Sequence, residues 1–105
     1  KIGNRVFFSG RLTMTGITGL TGGQSAQLRG LPFSSENTAN TETAVHFGYG
    51  AGLNLTAGYN VGGYIPPNAS NILLQTWDAA AGVTPLTITE LSATGDLIFS
   101  GHYRI

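Results

Sequence analysis

The two ends of the chain carry the same alternating pattern, which constrains the fold more than any other feature. Residues 96–105 read D-L-I-F-S-G-H-Y-R-I, and residues 5–15 read R-V-F-F-S-G-R-L-T-M-T. Apolar and polar residues alternate in both segments, interrupted at Ile98, as is typical of half-buried strands. Both contain F-S-G, with Gly10 and Gly101 on the apolar side. We expect these segments to pair side by side, antiparallel, and to close one β domain.

Turn signals divide the rest of the chain into short segments. In 43–49 the alternation predicts that Val45, Phe47 and Tyr49 face inward and that His46 faces outward. The stretch 78–85 is rich in Ala and Gly and is interpreted as a loop. Five further strands are predicted, at 24–29, 43–49, 53–56, 61–65 and 70–77.

One short segment has helical character. Thr87 and Glu90 have the spacing of a capping box, and the run 87–91 is long enough for a single turn. The chain thus has about seven short strands and almost no helix. This pattern predicts an all-β protein, a jelly-roll-like antiparallel β-sandwich whose first and last strands pair. We expect one domain over residues 1–105, since no linker or repeat divides the chain.

Charge is scarce in this sequence. Only 10% of the residues are charged, and five basic residues balance five acidic ones, whereas about a quarter is usual. Three explanations remain open: an extracellular β protein, an oligomer that hides much of its surface, or a module of a larger assembly. The oligomer or assembly is the favoured interpretation.

The same composition excludes several classes of function. Nucleic-acid binding is not expected, because there is no cluster of basic residues to bind phosphates. The absence of cysteine excludes disulfides, thiolate nucleophiles and Cys-based zinc sites. Membrane insertion is not expected either, because no apolar run is long enough to span a bilayer. The chain opens on Lys1 close to a strand and without a signal peptide, so we expect it to be part of a longer polypeptide.

Four stretches resemble a known family. They are K-I-G-N-R-V-F-F-S-G-R-L-T-M-T at 1–15, R-G-L-P-F at 29–33, G-Y-I-P-P-N-A-S-N-I-L-L at 63–74, and L-T-I-T-E-L-S with G-D-L-I-F-S-G-H-Y-R at 86–104. Together they are similar to a module at the C-terminal end of tailed-phage tail fibres and tailspikes.

The resemblance implies a homotrimeric β-sandwich on the virion, outside the host cell, that continues from the rest of the fibre upstream of Lys1. Its implied roles are to stabilise the fibre trimer and to contact a host surface polysaccharide or lipopolysaccharide. Catalysis in such tailspikes belongs to an upstream β-helix. Two alternatives stay open: a purely structural trimerisation module, and a bacterial carbohydrate-binding module attached to an enzyme.

Neither a metal site nor an active site is expected from the titratable residues. His46 and His102 have no carboxylate at the spacing of a shared ligand set, so no metal residues are assigned. The five acids form no evident glycosidase pair, and no serine lies on a nucleophile elbow. We therefore predict no enzyme, no catalytic residues and no cofactor.

Exposed aromatic residues beside polar ones are the candidates for sugar binding. Trp77 with Asp78, and Tyr59 with Asn60, lie at predicted strand ends, while Tyr64 is out of phase with its apolar neighbours. For a single tryptophan in a small sandwich, a place in the core is the competing interpretation. The polar loop residues Glu36, Asn37, Asn40 and Glu42 are further candidates.

Two arginines on the end strands have two possible roles. Arg11 and Arg104 either bridge to carboxylates of a neighbouring copy or make ordinary cross-strand contacts within one chain.

Overall fold

A computed structural model describes residues 2–79 and 81–105, with all their side chains except those of Asp78 and Ala79. The described part is all-β apart from one helical turn, as the sequence predicts. The elements are β1 Arg5–Thr13, β2 Gln27–Arg29, β3 Thr43–Ala51, β4 Asn60–Ile65, β5 Asn71–Ala79, β6 Gly82–Pro85, α1 Ile88–Leu91 and β7 Asp96–Arg104.

All seven strands belong to one antiparallel sheet. Its order is β1-β7-β3-β4-β5, and β2 and β6 both pair with the remaining edge of β5. The sheet curls, so that inner side chains from its two ends meet in a single sandwich-like core. The fully buried members include Ile65, Leu74, Leu97 and Tyr103. The prediction that the first and last strands pair is confirmed.

The repeated F-S-G motif is explained by the register of β1 on β7. Ser9 lies opposite Ser100, so Phe8 falls opposite Gly101 and Gly10 opposite Phe99. Each ring occupies the space above the glycine across from it: a Cβ on Gly10 would lie 2.8 Å from the Phe99 ring, and one on Gly101 would lie 2.9 Å from Phe8. The two glycines therefore allow two aromatic rings to pack on neighbouring strands.

The segment that follows β2 is tied to the C-terminal end of β7. The hydroxyl of the buried Tyr103 donates to the carbonyl oxygen of Phe33 at 2.9 Å and accepts from its N–H at 3.3 Å. The N–H of Glu36 donates to the carbonyl oxygen of Arg104 at 2.8 Å. These bonds hold residues 33–36 against the last strand.

Tyr49 is predicted to face inward, and this prediction is wrong. The β3–β7 register shifts between Phe47 and Tyr49, and such a bulge turns the following side chain to the other face. Phe47 stays half-buried against the core, whereas Tyr49 is 47% exposed on the outer face. There it lies opposite Ile98, which the sequence already places on the polar side.

Two predicted boundaries in the second half of the chain are also wrong. Residues 53–56 form no strand: Leu53 and Leu55 pack on the core, but the Asn54 N–H bonds to the Glu90 carbonyl of α1 instead of a sheet partner. Conversely, part of the predicted 78–85 loop is strand β6, which pairs back onto β5. Residue 80 of that loop lies outside the described residues.

The predicted helical turn is present as α1. The Thr87 hydroxyl accepts from the Glu90 N–H at 3.2 Å, and the Glu90 carboxylate accepts from the Thr87 N–H at 3.1 Å, which is a complete capping box. No helix in the described part of the chain has the length and apolarity needed to cross a membrane.

Candidate functional site: an aromatic groove on the outer face of β4 and β5

Side chains of β4 and β5 alternate between the core and the outer face, and two aromatic side chains lie on the outer face. Ile65 on β4 and Thr76 on β5 are buried, so their neighbours Tyr64 and Trp77 point the other way. Tyr64 is half-buried and Trp77 is 57% exposed. Trp77 is therefore a surface residue, and the interpretation that places it in the core is wrong.

Cross-strand register sets the spacing of these two rings. Asn60 lies opposite Trp77, Gly62 lies opposite Gln75, and Tyr64 follows two residues further along β4. The two residues are thus offset by four positions along the strands, about 13 Å between backbones at the usual rise per residue. Gly62 and Gln75 occupy the outer face between the two aromatic walls.

The space between the walls is an open groove of about 570 Å³. A volume of this size is within the range of small-molecule sites. The lining residues are Glu42, Ala44, Gly62, Gly63, Tyr64, Gln75, Trp77, Gly82 and Val83.

Gly62 permits the orientation of the tryptophan ring. A Cβ on Gly62 would lie 3.3 Å from Nε1 of Trp77, which is tighter than an ordinary van der Waals contact. Without a side chain at this position, the indole leans over the β4 backbone and bounds the groove. A larger residue at 62 would fill the floor and displace the ring.

Polar groups along the groove are free to bind a ligand. Among the described residues, no hydrogen bond engages the Trp77 indole N–H, the Tyr64 hydroxyl or the Gln75 amide. A groove with aromatic walls and unengaged donors and acceptors suits a ligand with apolar faces and many hydroxyl groups, which describes a saccharide.

The structure separates the five predicted sugar-binding residues. Tyr64 and Trp77 face one groove. Tyr59 and Asn60 instead line a different pocket, of about 330 Å³, next to Tyr49, although Asn60 lies opposite Trp77 in the sheet. The Asp78 side chain lies outside the described residues.

Gln75 and Gly62 line the groove but are not predicted as site residues from the sequence. Alternation about the buried Thr76 does place Gln75 on the same face as Trp77. The 70–77 segment has apolar residues in both phases, so its alternation is visible only once one face is known to be the core. Glu42, a candidate of the polar loop, does line the groove.

A second outer surface lies on β1, β7 and β3. Phe7, Ile98 and Tyr49 are exposed there, at 57%, 41% and 47%. The Arg11 guanidinium binds Asp96 in a two-pronged ion pair, with Nε donating to Oδ1 at 2.9 Å, and lies 5.8 Å from the Tyr49 ring centroid. The three exposed apolar side chains thus lie among polar ones, and Arg11 and Asp96 neutralise each other within the chain.

The Arg11 hydrogen bond controls the titration of Asp96. It holds the pKa of the Asp96 carboxyl below its usual range; partial desolvation opposes this effect, while the Arg11 charge and a hydrogen bond from Thr13 support it. The same pairing raises the pKa of Arg11. Arg11 thus makes a contact within its own chain, and so does Arg104, whose Nε lies 3.8 Å from a Glu36 carboxylate oxygen.

The histidines lie apart from any acidic group that would complete a ligand set. Nδ1 of His102 accepts from Arg5 at 3.0 Å, since arginine can only donate. Across residues 2–79 and 81–105, no group of three or more His, Asp or Glu side chains is placed to hold a metal ion.

Comparison with family models, with curated proteins and with solved structures finds no match to this chain.

Proposed function

We propose that this chain is a saccharide-binding, trimeric module at the end of a phage tail fibre or tailspike, where it contacts a host surface polysaccharide or lipopolysaccharide. The observation that carries the proposal is the outer groove between Tyr64 and Trp77. A groove bounded by two aromatic side chains, with exposed apolar surface and polar neighbours, is the kind of surface feature that marks a binding site.

The dimensions of the groove favour an extended saccharide. Tyr64 and Trp77 are offset by about 13 Å of backbone along the strands, so a ligand that contacts both side chains must run along the groove. The Gln75 amide lies between them, where ring hydroxyls would pass. Each groove would bind weakly, and three copies on one fibre would raise the overall avidity without new contacts.

The N-terminal hairpin supports the position of the module within a longer fibre. Ile2 and Arg5 exchange two backbone hydrogen bonds of 2.9 and 3.0 Å around a tight turn in which Gly3 has a φ of +60°. Beyond this turn the outer edge of β1 is open: alternate N–H and C=O groups of Phe7 to Thr13 have no strand partner in the described part of the chain. An upstream segment would satisfy them.

The outer surface of β1, β7 and β3 supports assembly into a homotrimer of jelly-roll-like sandwiches. Phe7, Ile98 and Tyr49 would be covered there by a second copy, and Arg11 and Asp96 would enter the interface already paired with each other. The same surface favours a second candidate function, a purely structural trimerisation module that binds no receptor. In both cases we propose a non-enzymatic protein on the virion.

A binding experiment with the assembled protein separates the two candidates. We expect the wild type to bind a subset of polysaccharides and lipopolysaccharides on an array of bacterial surface glycans. Trp77→Ala and Tyr64→Ala should each weaken that binding at least tenfold, in keeping with the large contact area of aromatic anchors. Phe33→Ala is the matched control, because Phe33 is an exposed aromatic residue outside the groove.

The mass of each variant in solution must be measured alongside binding. If Trp77→Ala and Tyr64→Ala assemble normally and bind every glycan as the wild type does, the groove is not a saccharide site and the structural candidate takes its place.

A further inference from the structure

The groove contains one charged residue among those that line it. Glu42 lies next to Thr43, the first residue of β3, and the Thr43–Ile65 pair brings it beside the Tyr64 end of the groove. The opposite end, at Trp77, is lined by Gly82 and Val83. The described lining is therefore apolar at one end and carries a negative charge at the other.

The Glu42 carboxylate is not neutralised by its surroundings. No basic group of the described residues lies within ion-pair distance of it. The guanidinium of Arg104, at the end of β7, lies 3.8 Å from Glu36. An exposed carboxylate without a cation repels acidic ligands and attracts cationic ones.

We propose that the groove selects saccharides that carry a free amine, such as a sugar with an unacetylated amino group, and that Glu42 binds this ammonium while Trp77 stacks on a neighbouring ring. The Tyr64 ring would add a cation–π contact, because an ammonium held by Glu42 lies close to its face. This inference rests on the proposed function, and it names the chemical class of the ligand.

Two sugars of equal length provide the test. Binding of a glucosamine hexasaccharide and of its fully N-acetylated counterpart is measured by calorimetry at a pH where the amines are protonated. We expect the amine form to bind roughly fivefold more tightly, the upper range for an exposed ion pair, and the difference to shrink as salt is added.

Charge-neutral variants identify the residue responsible. Glu42→Gln should bring the affinities for the two sugars together and so abolish the preference for the amine form. Glu90→Gln is the control, because it removes an equal charge outside the groove while glutamine can still complete the capping box, and it should keep the preference. Trp77→Ala should weaken binding of both sugars.

Two results would overturn the inference, and they bear differently on the proposed function. If the N-acetylated sugar binds equally well, or if Glu42→Gln keeps the preference, amine selection is wrong although Trp77-dependent binding still supports a saccharide site. If neither sugar binds and no array glycan binds in a Trp77-dependent way, both proposals fail.

Discussion

At the scale of single residues, a glycine that leaves space for a phenylalanine ring of the neighbouring strand is the recurring feature of this protein. Gly10 accommodates Phe99, Gly101 accommodates Phe8, and Gly63 accommodates Phe47, whose ring would lie 2.9 Å from a Cβ. Each missing side chain provides the volume that a ring on the neighbouring strand fills. In this way a chain of 105 residues packs Phe8, Phe47 and Phe99 against its core.

Gly10→Ala tests this packing directly. The new methyl group would overlap the Phe99 ring, and we expect a loss of about 1–3 kcal/mol in the free energy of unfolding, as for other overpacked cores. Gly16→Ala is the control, because no atom lies within 4 Å of that position. Urea denaturation measures the free energy of unfolding of each variant. Equal values for Gly10→Ala and Gly16→Ala would show that the Phe99 ring does not depend on the missing side chain at Gly10.

The Arg11–Asp96 pair predicts the direction of pH dependence. Because the Asp96 pKa is lowered in the folded protein, the unfolded chain binds the proton more readily, and the stability from this pair is lost as pH falls below about 4. Urea midpoints measured at decreasing pH should fall less steeply for Asp96→Asn than for the wild type. An unchanged slope in the variant would show that another carboxyl controls acid sensitivity.

At the scale of elements, strands with strict alternation and the capped turn were predictable, while strands with apolar residues in both phases were not. β1 and β7 could be predicted from the sequence because apolar and polar residues alternate along most of each strand, with Phe7 and Ile98 as exceptions. β6 is not predicted from the sequence, because the four residues G-V-T-P are too few to show a period. Its strand conformation depends on pairing with the free edge of β5. The bulge at Gly48 was missed because it depends on the register with β7.

The α1 cap gives a prediction at this scale. Thr87→Ala removes the hydroxyl that accepts the Glu90 N–H, and loss of an N-cap costs about 1 kcal/mol of stability. Thr89→Ala, in the same turn, is expected to change stability by less, because the Thr89 hydroxyl makes no hydrogen bond with the described residues. Thermal melts compare the two variants, and equal losses would show that the effect does not come from the cap hydrogen bond.

At the scale of the whole molecule, three features of the one sheet are left open to contact with another molecule. The apolar outer surface at Phe7, Ile98 and Tyr49, the open edge of β1 and the aromatic groove are all on strands that a single chain leaves uncovered. Assembly and binding are the proposed means of covering them.

Light scattering tests the proposed assembly. We expect a solution mass three times the 10.9 kDa of one chain, and Ile98→Asp should lower it to the mass of one chain because it buries a charge in the interface. Leu20→Asp is the control, since Leu20 is an exposed apolar residue in a loop. A single-chain mass for the wild type would refute the trimer.

The amino-acid order by itself determined the all-β class, the pairing of the two ends and the capped turn, because these follow from local alternation and from a four-residue motif. The existence of the groove, in contrast, depends on the tertiary structure. Tyr64 and Trp77 belong to different strands, and their shared face, their spacing and the glycine floor between them depend on cross-strand register. Register is set by which side chains the core buries, and that is a property of the assembled sheet and not of any one segment.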